Sequence, residues 1–546
     1  MVNVSKHKGK IFGPFLLVLV SILFYPVVVH SDVFNVTNED ELRQALSIAE
    51  DNGEDDVINI GAGLYRTFGE PFNFETDEDF ALTIEGEGAG VTILDGDGLS
   101  RVLSIQSNNE NSQLSVTMRG LTIENGFKSD DFESFSEEDN GAGVSILNAG
   151  FVTIDTCEFR NNTAEGGFGG GLYIVGESSP DNELTNVIIA SSEFSNNSSN
   201  EGGGVYIRFL RGDLVFSNNM LSGNFISGIH VIARSLIFSS NELVNNGEGV
   251  SLSVSNVEIF DNKFIGNAGL GVLINRGVLN MRDNEFINNT GGGARISGEF
   301  AVGNYIIINN IFNGNSSVEN GAGLDIRVKG GLGDTVNSTI TNNTFTLNTS
   351  ENDGGAINFI ARADFHGPPP TSPNLNVFLN IYNNIIYDNI ALGNGGDISI
   401  FAESFCPSSL FLTVNLFNND FSNLFVSSNC DPCTTCEPII NEGNNIDEDP
   451  LFVNAEAGDV SLQPDSPCID TGDPNAPDVP TTDIFGNPRV PPPDMGAVEF
   501  IAEAVRGGGG GGCSLAHNPV SSSLAVFIAI PVLLLIRRVV GRFRSY

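Results

Sequence analysis

Residues 241–297 read NELVNNGEGVSLSVSNVEIFDNKFIGNAGLGVLINRGVLNMRDNEFINNTGGGARIS and state one pattern three times. NELVNN, NKFIGN and NEFINN are copies of one motif, in which Leu243, Phe264 and Phe286 recur at spacings of 21 and 22 residues. Each copy runs into a glycine-flanked strand: GEGVSL at 247–252, GLGVLI at 269–274 and GGGARI at 291–296. The pairs Val250/Leu252, Val272/Ile274 and Ala294/Ile296 flank one outward residue, which is the period-two alternation of a strand. Such a repeat is too short for a helical hairpin and too long for a hexapeptide, so each copy is expected to be one coil of a β-solenoid. Stacked coils would sit ~4.8 Å apart, with Phe or Leu on the apolar residue below and Asn on Asn. Asn and Gly at the corners tolerate the left-handed backbone that tight turns demand.

Seven more glycine-flanked strands align with these three by their inward pairs: Val144/Ile146, Leu172/Ile174, Val205/Ile207, Ile229/Val231, Leu324/Ile326, Ile357/Phe359 and Ile398/Ile400. The companion motif persists as CEFRNN, SEFSNN, NMLSGN, NIFNGN, NTFTLN, NIIYDN and NDFSNL. An all-β solenoid of about 13 to 15 single-file coils follows, its repeats spanning residues 57–440. Longer coils carry much of their excess after the glycine strand, as in 176–184 and 361–376, so those loops share a side where such folds carry function.

Upstream, Lys6, Lys8 and Lys10 precede an apolar run from Ile11 to Val29, the pattern of a secretory signal peptide over 1–31 cut after Ser31; an uncleaved anchor is the alternative. Residues 32–56 are expected to cap the solenoid. Asn38 and Glu41 form a capping box, and Leu42, Ala45, Leu46 and Ala49 make one apolar stripe on a short helix, with VINI at 57–60 as the first strand. This opening resembles that of many bacterial right-handed parallel β-helix proteins of the pectin-lyase-like fold. The repeats, through GGAI at 354–357 and F-x-x-N tetrads such as Phe264 to Asn267, are similar to those of chlamydial-type polymorphic outer-membrane proteins. That resemblance implies a surface-displayed, often adhesive, β-helix.

The chain holds 25 Lys+Arg against 68 Asp+Glu, a net charge of −43. Without the three leader lysines and the five arginines from Arg506 onward, 17 cations face 68 anions, a net of −51. Such a body repels nucleic acid and anionic membrane. Its acidity suits divalent cations or simple solubility. The loop 127–140 carries Asp130, Asp131, Glu133, Glu137, Glu138 and Asp139; it could chelate Ca²⁺ or be merely solvated, since it lacks the ligand spacing of an EF-hand. No other cofactor is indicated.

Cys157 reads as a buried thiol, whereas Cys406, Cys430, Cys433, Cys436 and Cys468 cluster; in an exported chain, disulfides among them are favoured over a metal site. The stretch NNIDEDPLFVNAEAGDVSLQPDSPCIDTGD and then FGNPRVPPPDMGAVEF closely resembles the choice-of-anchor Q module of bacterial surface β-helix proteins, placed here at 441–500. Its prolines stop regular coiling, and its VSL and AVEF segments are expected to cap the last open edge. A glycine-rich linker (501–519) with Cys513, an apolar run within 520–546 and Arg537, Arg538, Arg542 and Arg544 are similar to the three-part sorting tags of bacterial envelope proteins. The resemblance implies membrane attachment through a C-terminal helix, removal of that helix, or lipidation at Cys513.

Glycosidases need two converging carboxylates, and lyases a cationic base beside Ca²⁺-binding acids. The first outward column reads Ser145, Tyr173, Tyr206, His230, Ser251, Leu273, Arg295, Asp325, Asn358, Ser399, with Arg208 and Arg327 in the next. It holds one acid, and Asp325 to Lys329 only faintly resembles the R-x-K of polygalacturonases, so non-catalytic binding is favoured over a polysaccharide lyase or hydrolase acting on an acidic polysaccharide. Tyr173, Tyr206 and His230 would stack as a flat ladder for sugar rings, with Arg208, Arg295, Asp325 and Arg327 beside it, or form an ordinary solvent face. The expected partner is an extracellular polysaccharide or surface protein, met by a monomer.

Overall fold

The computed structural model describes residues 31–109, 112–129, 140–176, 186–299, 303–330, 334–364, 374–406 and 408–502. The described fold lies within the first of two units, Met1–Phe500. Three faces of parallel strands close around one apolar core. The first carries the glycine-flanked strands, whose inward residues pair as Val144, Leu172, Val205, Ile229, Val250, Val272, Ala294, Leu324, Ile357 and Ile398 from coil to coil. All ten expected pairs stand in one register. The third face carries the F-x-x-N motif and contains twelve strands, continued by bridges to Asp420 and Ile446. The second face was not legible in the repeats. In three coils it continues the first without a break, as the strands Val205–Ser217, Ser227–Ser239 and Glu248–Phe260.

Inside the third face the rings stack directly. Phe264, Phe286, Phe312 and Phe345 follow one another at 4.8, 4.6 and 4.6 Å between centroids, each pair within 7° of parallel. All four are fully buried. The corners are held by asparagine. Asn262 Oδ1 accepts from the backbone N–H (2.9 Å) and side-chain amide (3.0 Å) of Asn241 one coil back, while its own amide donates to Phe238 O, Phe260 O and Asn284 Oδ1. The same geometry repeats along this corner from Asn219 to Asn445, and in a second column from Asn162 to Asn389. Buried amide groups thereby find partners in the adjoining coils, which is the condition for placing polar side chains inside a protein.

The helix α1 (Glu39–Ala49) forms where the capping pattern placed it. Asn38 Oδ1 accepts from Glu41 N, and Leu42, Ala45, Leu46 and Ala49 are buried. Two expectations are corrected here. The first strand is Ser31–Val36, which pairs in parallel with Asp55–Ile60, so VINI lies in the second; edge pairing satisfies the backbone of both. The C-terminal segment does not cap the open end. VSL lies in the strand Asp459–Leu462, antiparallel to Phe452–Asn454, and AVEF forms no strand. The segment instead turns back along the flank of the solenoid, where Val460, Ala497 and Val498 pack on Ile311, and Leu462, Cys468 and Met495 on Ile385. Arg489, buried with Glu499 at 3.1 Å, donates to Asn309 Oδ1, 180 residues away.

Cys406 pairs with Cys433 and Cys430 with Cys436. Cys468 is the one of the five left outside the bridges: its thiol is buried against Asp420, donating to Oδ2 at 3.4 Å. Cys157 is a buried free thiol, pushed up to about 12 by burial. Asp130, Asp131, Glu133, Glu137, Glu138 and Asp139 lie outside the described residues, as do the leader up to His30 and the tail with Cys513. No helix among the described residues is long and apolar enough to cross a membrane.

Replacing Asn262 by Leu leaves the Asn241 amides and the carbonyls of Phe238 and Phe260 buried without this partner. A loss of at least about 3 kcal/mol is expected from denaturant unfolding; unchanged stability would contradict the ladder. The flank also sets a pH dependence. Burial pushes the Asp420 carboxyl up to about 7 and that of Asp494 up to about 6, from ordinary values near 3.8. A raised carboxylate pKa means that the folded state holds protons that the unfolded state has lost, so stability falls as pH rises from about 4 to about 7. Thermal unfolding should occur at a higher temperature at pH 5 than at pH 8, and Asp420→Asn should flatten that profile.

Candidate functional site

The outward column of the first face runs along a crease under the corner that leads into it. Glycine supplies that corner's turn: Gly169 and Gly202 have φ of +65° and +61°, and a Cβ on either would strike the backbone of the following strand. The turn throws Phe168 over the column. Tyr173, Tyr206 and His230 do stack, at 5.5 and 5.1 Å between centroids, and Phe168 covers Tyr206 at 5.0 Å. Tyr173 and Tyr206 are only 0% and 2% exposed. The expected open platform for sugar rings is thus corrected: the ladder exists, but its rings are spent on one another and on Leu147, Val175 and Phe168. His230 is mostly buried, 3.8 Å from Glu201, and burial holds it below the usual imidazole range. Arg208 follows Tyr206 by two residues on the same strand, facing out from the next column.

Farther along the crease Arg295, Asp325 and Arg327 come together. Register places Arg295 beside Asp325 and Asp325 beside Asn358 in successive coils. Asp325 Oδ2 accepts from Arg295 Nε at 2.9 Å and from Arg327 Nε and Nη2 at 2.9 and 2.7 Å, while Oδ1 accepts from the Asn358 amide at 2.7 Å. Glu319, reaching down from the corner, bridges both guanidinium groups at 2.8 Å. Its carboxyl is held below the ordinary range by the Arg327 hydrogen bond and by the charges of both arginines. Glu248 lies in the same field, raised by burial and opposed by Arg295.

This cluster is an ion-pair network closed upon itself. Asp325 has 1% of its side chain exposed and both oxygens engaged by Arg295, Arg327 and Asn358, so it is closed to a ligand. Glu319 is half exposed, but two arginines hold one of its oxygens. Glu248 is the other carboxylate in the field of Arg295, and among the described residues no hydrogen bond or ion pair ties it to Asp325 or Glu319. Among the described residues no group of His, Cys, Asp and Glu is placed to hold a metal ion.

What the first face does present lies along its edges. On the leading corners stand Phe225, Val318 and Leu392, 64%, 67% and 74% exposed. On the trailing corner, where the first face bends into the second, Arg234 and Arg276 are exposed and make no ion pair among the described residues. None of these five was singled out by sequence reasoning. Their signal was weak, because each falls in an irregular corner where neither the strand alternation nor the F-x-x-N motif fixes direction.

Asp325→Ala should cost about 3 kcal/mol, since it leaves Arg295 and Arg327 facing one another without their buried anion, held only by the half-exposed Glu319. A double-mutant cycle with Arg295→Met measures the coupling; additivity within error would mean that the pair is solvent-screened.

Residues 83–277 match the family model described as right handed beta helix region. No curated protein sequence matches the chain. Similar solved structures include a PL6 family polysaccharide lyase from Pseudopedobacter saltans, 13% identical over 79% of this chain and 96% of that one, with a TM-score of 0.33. Pectate lyase Pel9A is 12% identical over 83% and 90%, with a TM-score of 0.28. With that family match, the three faces of parallel strands identify the fold as an all-β, right-handed parallel β-helix.

Proposed function

We propose that this chain is an exported surface β-helix, held at the cell envelope by its C-terminal tail, which binds an extracellular polysaccharide along the edges of its first face without cleaving it. The observation that carries the reading is the closure of Asp325 by Arg295, Arg327 and Asn358, which removes the crease's central acid from chemistry. The edges supply what binding needs: exposed apolar surface at Phe225, Val318 and Leu392 for the faces of sugar rings, and the exposed guanidinium groups of Arg234 and Arg276 for their oxygens. Export and anchorage are supported by the lysine-led apolar leader and by the glycine, apolar and arginine blocks of the tail.

The test incubates the full chain with a panel of insoluble polysaccharides, scoring retention and released products together. Retention on at least one glycan is expected, with no reducing-end or unsaturated products, and the Phe225→Ala, Arg276→Ala double variant should weaken it about tenfold. Release of such products would replace this reading with that of a lyase or hydrolase. Absence of retention on every glycan would reject it.

A further inference from the structure

The flank that seats the C-terminal segment continues beyond it, toward the N-terminal coils, as an open groove. Seat and groove are built from the same two columns. One is the left-handed corner residue between the second and third faces: Thr156, Ser191, Asn218 and Ser240 upstream, then Asn309, Asn342, Asn383 and Asn418 downstream, all with φ between 52° and 61°. The other is the first outward residue of the third face, which runs in register from Glu193 through Met220, Glu242, Lys263 and Glu285 to Ile311, Thr344 and Ile385.

Downstream, the chain itself shows what these columns bind. Asn309 donates to Thr482 O at 3.1 Å, Asn342 to Asp494 O at 3.0 Å and Asn418 to Thr471 O at 3.0 Å. Asn383 both donates to Asp473 O and accepts from Asp473 N, at 3.0 and 2.8 Å. Outward amides in one fixed backbone pose thus read the main chain of an irregular segment laid across them. Beside them Ile311 and Ile385 take its apolar side chains.

Upstream, no segment among the described residues lies across the same floor. Ser191, Asn218 and Ser240 are exposed, with no hydrogen bond from their side chains among the described residues. The groove they line holds about 760 Å³, with Gly88, Ala89 and Gly90 and the side chains of Glu193, Met220 and Glu242 also on its lining. Glu193 and Glu242 make no ion pair among the described residues, whereas Glu158 farther along is held by Arg160 and Thr122.

We infer that this groove binds an extended, basic segment of a second polypeptide, whose main chain meets Asn218 and its neighbours as the C-terminal segment meets Asn309 to Asn418. Continuity with the occupied seat gives the backbone mode. The wall gives the charge: two free carboxylates flank Met220, itself 42% exposed, where the occupied seat has isoleucine and threonine. The acid-rich C-terminal segment of another copy of this chain is a poor fit to that wall. The inference is independent of glycan binding, which uses the first face.

The experiment titrates the full chain with a fluorescein-labelled peptide of alternating lysine and serine, following anisotropy, and repeats it with glutamate in place of lysine. Saturable binding of the lysine peptide alone is expected. Ser191→Tyr, which fills the floor, should abolish it. Glu193→Gln with Glu242→Gln should weaken it about tenfold, while Glu437→Gln with Glu442→Gln, the same loss of charge on the last rung, should leave it unchanged. The inference is overturned by equal weakening in both double variants, which would mean diffuse attraction to an acidic body, by full binding to the Ser191→Tyr chain, or by no binding of the lysine peptide. Unchanged thermal unfolding of each variant keeps these outcomes free of misfolding.

Discussion

The structure depends on a hydrogen bond repeated between asparagines. A solenoid corner buries backbone groups that no strand ladder reaches, and a buried amide without a partner costs more than a made bond gains. Each corner Asn solves this for its neighbours on both sides, accepting from the coil before and donating to a carbonyl and to the next Asn. Because the bond needs the same residue at the same place in every coil, it fixes the register, and the register in turn puts Phe286 on Phe264 and Phe312 on Phe286. The apolar stack supplies the driving force, and the asparagines decide which alignment that force selects.

A constraint met inside the corner frees its outside. The residue just before each ladder Asn takes the left-handed conformation and points away from the core, so its identity is not dictated by packing. Across four downstream coils it is Asn, and there the C-terminal segment has been laid down, crossing from Asn309 to Asn418 and fixed by the buried Arg489–Glu499 pair. The chain therefore leaves its described fold from the flank, at Phe500, rather than from the end of the stack. Load applied through the tail would reach several coils together.

Legibility followed periodicity. All ten glycine-strand pairs stand in the expected register, because Gly at the corner and alternating apolar residues leave a period-two signature that stacking enforces. The second face left none, since Val205–Ser217 and its two successors bend from one face to the next with no residue type repeated at the bend, where Asp213, Ser235 and Asn256 stand opposite one another. The column Tyr173, Tyr206, His230 was legible as a ladder but not as a buried one. What covers Tyr206 is Phe168, in a corner whose length follows no period. Asp325 was legible as the lone acid of its column, and the strand register sets Arg295 beside it, yet the Glu319 that bridges Arg295 and Arg327 comes from a corner outside the strand pattern. The C-terminal segment's fold was beyond reach because its seat lies 180 residues upstream at Asn309.

Amide hydrogen exchange across the corners tests the ladder's primacy most directly. If the asparagines hold the register, the backbone amides of Asn241, Asn262, Asn284 and Asn310, each bonded to the side chain of the next, should be among the slowest in the protein and should open together with the strands of the third face. Fast exchange at these positions while the strand amides stay protected would show that the corners are ordinary turns, and that the stacked rings alone set the alignment.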